Sequence, residues 1–127
     1  MGSVACVVAQ SETQHSGDSN RVARERETVS KELIQLRDSI QATLIAFEIK
    51  INKAAKAKTT KASTVRTSKL AKARKELVGY QDQVKLDLEE VYQTAQNGWT
   101  KQAVERLRAA MVDTRRHHQR ISSLLKS

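Results

Sequence analysis

Residues 29–51 read VSKELIQLRDSIQATLIAFEIKI, and their apolar positions recur with the spacing of an α-helix. Successive members lie three or four residues apart, which forms a single stripe along one side of a helix. The stripe consists of Val29, Leu33, Leu36, Ile40, Leu44, Phe47 and Ile51, and continues to Ala54 or Ala55. Ile34, Ile45 and Ile49 lie beside this stripe and widen it. A helix with so broad an apolar side is expected to contact partners on two flanks, as in a bundle.

Two further stripes with the same spacing follow along the chain. The second consists of Leu70, Ala73, Leu77, Tyr80, Val84, Leu88, Val91 and Ala95. The third consists of Ala103 or Val104, Leu107, Met111, Thr114, His118, Ile121 and Leu125. Asn97 and Gly98 lie between them and predict a helix end, since glycine readily adopts the left-handed conformation there. The chain has no proline, and the predicted fold class is all-α: an elongated antiparallel bundle or hairpin of two to three long amphipathic helices.

The length of 127 residues suits one small domain. Residues 1–20 are predicted to be a disordered leader, because residues 10–20 are polar and lack periodicity. A single helical domain is predicted for residues 21–127, its first helix capped by Asp18, Ser19 or Asn20. The predicted helices span about 21–57, 68–96 and 100–125. Residues 58–68 are rich in Thr and Ser, which are weak helix formers, and are interpreted as a basic strap; continuous helix is the alternative.

Several classes of protein are excluded by the composition. A single cysteine, Cys6, cannot form an internal disulfide. No apolar run approaches the roughly 20 residues of a membrane span, and the apolar residues after Met1 lack the basic flank of a signal peptide. The predicted location is cytoplasmic, with nucleoid association if the protein is bacterial. Acylation of Gly2 or Cys6 would instead favour an anionic membrane surface, a partner that we do not expect.

The positive charge is concentrated in one part of the chain. The net charge is +9, and no acidic residue lies between Glu48 and Glu76. Outside the intervening stretch, 13 basic residues are balanced by 14 acidic ones. We call residues 50–75 the basic block; its basic members are Lys50, Lys53, Lys56, Lys58, Lys61, Arg66, Lys69, Lys72, Arg74 and Lys75.

This distribution predicts binding to double-stranded DNA or another polyanion. Neutralisation of phosphates requires a high density of Lys and Arg, because release of condensed counterions drives it. If residues 50–75 formed one continuous helix, the ten basic side chains would point to all sides of it. This distribution favours an exposed, flexible strap that can wrap around a polyanion. A second basic cluster, Arg115, Arg116 and Arg120, is expected beside the block, since the third helix of an antiparallel bundle ends near the start of the second.

Residues 50–77 resemble the chlamydial and related bacterial linker-histone-like proteins. The matching pieces are Asn52-Lys53-Ala54-Ala55, Val65-Arg66-Thr67 and Lys69-Leu70. The resemblance implies a short, basic, helical DNA-binding protein that compacts the nucleoid. This chain ends in an amphipathic helix, where the chlamydial members carry a tail rich in Lys and Ala.

The sequence does not predict an enzyme. It has no glycine-rich phosphate loop, Walker pattern or nucleophile elbow. His117 and His118 point about 100° apart on a helix, so they do not share a metal ion. No catalytic residue, metal or cofactor is predicted. Phe47 and Tyr80 are expected in the core, and Trp99 is expected over the end of the bundle, with a partner-binding anchor as its alternative role.

The alternative function is a helical-bundle or coiled-coil module for protein–protein interaction or structural assembly. Its partner would be a second copy of the chain or an acidic protein. Charged substitutions at Leu36, Leu44 or Leu88 would then abolish partner binding.

Overall fold

The helices account for nearly all of the chain that the structure describes. The computed structural model describes residues 2–57, 61–94 and 99–126, with side chains from Arg21 onward. The elements are α1 (Gly2–Lys56), α2 (Lys61–Gln93), α3 (Lys101–Ser122) and a 3₁₀ turn (Ser123–Lys126). Within these ranges there is no strand. The helices pack together, which confirms the predicted all-α bundle.

The three apolar stripes form one hydrophobic core. The buried members are Val29, Leu33, Leu36, Ile40, Leu44 and Phe47 from α1, Leu70, Ala73, Leu77, Val84, Leu88 and Val91 from α2, and Val104, Leu107, Met111 and Ile121 from α3. Phe47 is fully buried and Tyr80 packs at the edge of the core, as predicted. Trp99 belongs to the same core, so its side chain is not exposed as a partner-binding anchor would be. Full burial of one Leu or Phe stabilises the fold by about 1.5–3 kcal/mol.

The contacts between α1 and α2 show that the two helices are antiparallel. The Arg26 guanidinium donates to the carbonyl oxygen of Val91, at 2.9 Å from Nε and 2.6 Å from Nη2. Further along, Gln81 Nε2 donates to the carbonyl oxygen of Arg37 at 3.1 Å. The middle of α1, near Arg26, therefore lies against the end of α2.

Helix α3 runs parallel to α1 and antiparallel to α2. Thr43 Oγ1 lies 2.7 Å from His118 Nε2. Seven residues further along each helix, Lys50 Nζ donates to the carbonyl oxygen of Leu125. The end of α1, the start of α2 and the end of α3 consequently meet at the same end of the bundle.

The predicted strap is wrong over residues 61–68, which form the first turns of α2. Hydroxyl side chains disfavour a helix when they draw backbone groups into other conformations. Here the Thr67 hydroxyl donates to the carbonyl oxygen of Ser63 at 2.8 Å, a bond compatible with the helix. Residues 58–60 lie outside the described residues, as do residues 95–98, which contain the predicted stop at Asn97 and Gly98.

Helix α1 begins at Gly2, whereas the sequence predicts a helix only from about residue 21. Neither proline nor a run of glycines interrupts the residues between. Helix α1 continues through Asp18, Ser19 and Asn20, so the prediction that one of them caps its start is wrong. The side chains of residues 1–20, that of Cys6 among them, lie outside the described part.

The apolar stripe of α1 is narrower than predicted. Ile45 and Ile49 are 48 % and 52 % exposed, so they do not widen the core stripe. Only Ile34 of the three flanking isoleucines packs against the core. Helices α2 and α3 both contact the face that carries the stripe, which leaves the flank bearing Ile45 and Ile49 in solvent.

Candidate nucleic-acid interface

The basic block is divided between the last turns of α1 and the first turns of α2. Lys53 and Lys56 belong to the final turns of α1, and Lys61 opens α2. Because the two helices are antiparallel and adjacent in the chain, their lysines lie at one end of the bundle. We call this part of the surface the basic end. Lys58 lies outside the described residues.

Four lysines of α2 share one face of the helix. With 3.6 residues per turn, Lys61, Lys69, Lys72 and Lys75 fall within an arc of about 120°. This arc is opposite to the buried stripe that contains Leu70 and Leu77, and all four side chains are exposed. We call these four residues the lysine face. Arg66 and Arg74 of the same helix fall outside this arc, so the six basic residues of the block on α2, taken together, still point to most sides of the helix, as expected.

The two carboxylates that bound the basic block are paired with arginines. Glu48 lies 4.0 Å from Arg74 across the α1–α2 interface. Glu76 accepts a hydrogen bond from Arg120 of α3. These ion pairs are partly exposed and contribute little to stability. Because both carboxylates are paired with arginines, neither of them neutralises a lysine of the basic block.

The exposed lysines of the basic end have no such partners. The side chains of six of them form no ion pair or hydrogen bond with any residue that the structure describes: Lys53, Lys56, Lys61, Lys69, Lys72 and Lys75. Helix α2 has no acidic residue in its first turn. The positive end of the α2 dipole therefore adds to the potential of the neighbouring lysines.

Other predicted residues of the block are engaged within the protein. Lys50 is half-buried and binds the carbonyl oxygen of Leu125, which ties the 3₁₀ turn to α1. Arg66 also has a contact within the chain, and Arg74 pairs with Glu48. The charges of Lys50 and Arg74 are therefore less available to a ligand than those of the exposed lysines.

The second basic cluster lies only partly at the basic end. Arg120 reaches Glu76, the residue that follows the block. Arg115 lies 3.8 Å from Glu32 of α1, further from the basic end, and Arg116 is exposed. The prediction that all three lie beside the block is therefore wrong for Arg115, which is directed toward the middle of α1.

His117 and His118 have structural contacts. The His117 ring stacks on the Tyr80 ring with centroids 4.7 Å apart, and His118 bonds to Thr43. Burial lowers the pKa of His118 below its ordinary value. Within the described residues, no three His, Cys, Asp or Glu side chains are grouped to hold a metal ion. None of the helices, over the part described, is long and apolar enough to cross a membrane.

One buried carboxylate was not singled out from the sequence. Asp87 is 5 % exposed and accepts a hydrogen bond of 3.0 Å from Gln83 Nε2. Burial raises the pKa of Asp87, and nearby Glu90 raises it further, while Gln83 and Arg106 oppose the change. From the sequence, Asp87, Glu89 and Glu90 point to different sides of a helix and predict a solvated surface, which is wrong for Asp87. The neighbouring apolar Leu88 is the only sequence signal of its burial.

Comparison with known proteins does not identify a family. Neither a protein-family model nor a curated protein nor a solved structure matches the chain. The resemblance of residues 50–77 to linker-histone-like proteins stays a prediction.

Proposed function

We propose that the chain is a non-enzymatic protein of histone-like or nucleoid-associated type that binds double-stranded DNA with little sequence preference. The observation that carries the proposal is the group of six exposed lysines at the basic end, none paired with a described carboxylate. Surface lysines that serve only solubility are normally interspersed with acids. Here the two nearest acids are held by Arg74 and Arg120.

The lysine face suits contact with the phosphate backbone. Lys61 and Lys75 are separated by about 21 Å along α2, at 1.5 Å per residue. A row of ammonium groups over that length neutralises several phosphates, since duplex DNA carries one charge per about 1.7 Å. The contacts carry no base information. Binding is thus expected to be insensitive to sequence.

A pair of variants with equal charge tests this proposal. In the first, Lys61, Lys69, Lys72 and Lys75 are all replaced by Gln. In the control, four exposed cations outside the block are replaced by Gln: Arg21, Lys85, Lys101 and Arg108. Fluorescence anisotropy with a random-sequence duplex at about 100 mM salt is expected to show a loss of at least tenfold for the first variant and a much smaller loss for the control. Equal losses would mean that only net charge matters and would contradict the proposal.

A protein–protein interaction module is the second candidate, favoured by the exposed pair Ile45 and Ile49. These residues lie one helical turn apart on the outer side of α1. The buried Leu36, Leu44 and Leu88 are unsuitable as tests, because a charge at any of them would unfold the monomer. The oligomeric state is measured instead, by sedimentation equilibrium of the wild-type chain and of its I45S/I49S variant. A dimer that the double substitution dissociates would support the second candidate.

A further inference from the structure

An open apolar groove lies beside the lysine face. It encloses about 680 Å³ between the first turns of α2 and the 3₁₀ turn. Its apolar lining comes from Ala62, Val65, Leu70 and Leu124, and its basic lining from Lys61, Arg66 and Lys69. Among the residues that the structure describes, none with a carboxylate side chain lines it.

The apolar lining has no role in binding phosphate. Val65 and Leu124 are 51 % and 40 % exposed, although the core lies directly beneath them at Leu70. Contacts with a DNA backbone would leave this aliphatic surface unused. The groove therefore combines an apolar surface with positive charge, whereas DNA binding requires only the positive charge.

We propose that the groove binds an anionic single-chain amphiphile, a medium-chain fatty acid taken up as a free monomer. The argument is charge complementarity: the exposed Lys61 and Lys69 attract a carboxylate, and the aliphatic side chains cover the hydrocarbon. The volume lies within the range of small-molecule sites. From Ala62 to Lys69 the groove follows about 10 Å of helix, which suits one short chain rather than a two-chain lipid.

This inference goes beyond DNA binding and does not depend on it. Lys61 and Lys69 belong both to the lysine face and to the groove. If both activities exist, the fatty acid and DNA compete for these two side chains, and bound fatty acid weakens DNA binding.

Titration of the full chain with sodium decanoate, below its micelle concentration, tests the proposal. Calorimetry measures the affinity, and NMR chemical shifts of Val65 and Leu124 locate the ligand. Saturable binding is expected, with affinity increasing from octanoate to decanoate by up to about fourfold per buried methylene. Decyltrimethylammonium, which has the same tail and the opposite charge, is expected to bind at least tenfold more weakly. Equal affinity for the two head groups would overturn the proposal.

Two variants separate the groove from a general apolar surface. V65S/L124S changes only exposed groove positions and is expected to lose decanoate binding while keeping its helical circular dichroism. I45S/I49S removes a similarly exposed aliphatic pair elsewhere and is expected to bind decanoate normally. Unchanged affinity in V65S/L124S would refute the groove. Binding to phosphatidylserine vesicles without binding of monomeric decanoate would also refute it, by showing a membrane surface as the ligand. DNA binding is measured separately on the wild-type chain, so that its failure is distinguishable.

Discussion

At the residue scale, buried polar side chains are the least predictable feature of this bundle. Asp87 occupies a position in α2 between the core residues Val84 and Leu88 and is almost completely covered. Its hydrogen bond from Gln83 compensates only part of the cost of burying a carboxylate. The sequence shows the periodicity of α2 but not which polar residue beside its apolar stripe is buried.

Replacing Asp87 by Asn is expected to stabilise the protein at pH 7. The pKa of Asp87 is raised in the folded state, so its ionised form is disfavoured there relative to the unfolded chain. Asn keeps an acceptor for Gln83 without the charge. Urea unfolding is expected to give a higher midpoint for D87N at pH 7, and the advantage is expected to disappear below the ordinary pKa of Asp. Asp82→Asn, at an exposed position of the same helix, is the control and should have little effect; a lower midpoint for D87N at neutral pH would contradict this account.

His118 is expected to make stability depend on pH in the opposite direction. The pKa of His118 is lower in the folded state than in the unfolded chain. At a pH between these two pKa values, the folded state therefore binds fewer protons than the unfolded chain. Stability is then complete above about pH 6.5 and decreases as the pH falls through the folded pKa. Thermal unfolding between pH 7.5 and 5 should show this decrease in the wild type and a smaller one in H118Q, where Gln can still bond to Thr43. An identical slope in H118Q would assign the effect to other groups.

At the scale of helices, the spacing of apolar residues predicts the core correctly. The helix propensity of individual residues predicts the helix boundaries less well, above all the start of α2. Core residues such as Leu33, Leu77 and Leu107 are identifiable from the sequence because apolar residues that recur every three to four positions lie on one side of a helix. The low helix propensity of Ser63, Thr64 and Thr67 predicts a later start for α2 than the one observed at Lys61. In the fold, the Thr67 hydroxyl bonds along the helix, and burial of Leu70 and Ala73 immediately afterwards favours continuation of the helix.

Helix α3 depends on a capping residue at its start. Thr100 has extended backbone geometry and its hydroxyl accepts a hydrogen bond of 3.1 Å from the amide of Ala103. Thr100→Ala is expected to lower the free energy of unfolding by about 1 kcal/mol. Thr100→Ser keeps the hydroxyl and is expected to retain most of the stability. Chemical denaturation measures both, and equal losses in the two variants would show that the hydroxyl does not cap α3.

At the scale of the whole molecule, the antiparallel arrangement gathers one sign of charge at one end. The asymmetry itself was visible in the sequence, since no acid lies between Glu48 and Glu76. The sequence does not show which of these cations bind within the protein and which are exposed, because that depends on contacts between helices. Arg120 and Glu76 are 44 residues apart in the chain, and Lys50 meets Leu125 only once α3 has folded back.

The salt dependence of binding tests the central claim most directly. The wild-type chain is titrated with a random-sequence DNA duplex from 50 to 300 mM salt, with binding measured by anisotropy. If the six exposed lysines each neutralise one phosphate, a plot of log affinity against log salt has a slope of about −5, with submicromolar binding near 150 mM. A slope near zero, or binding lost by about 100 mM, would contradict the claim and show that the basic end is a solvated surface.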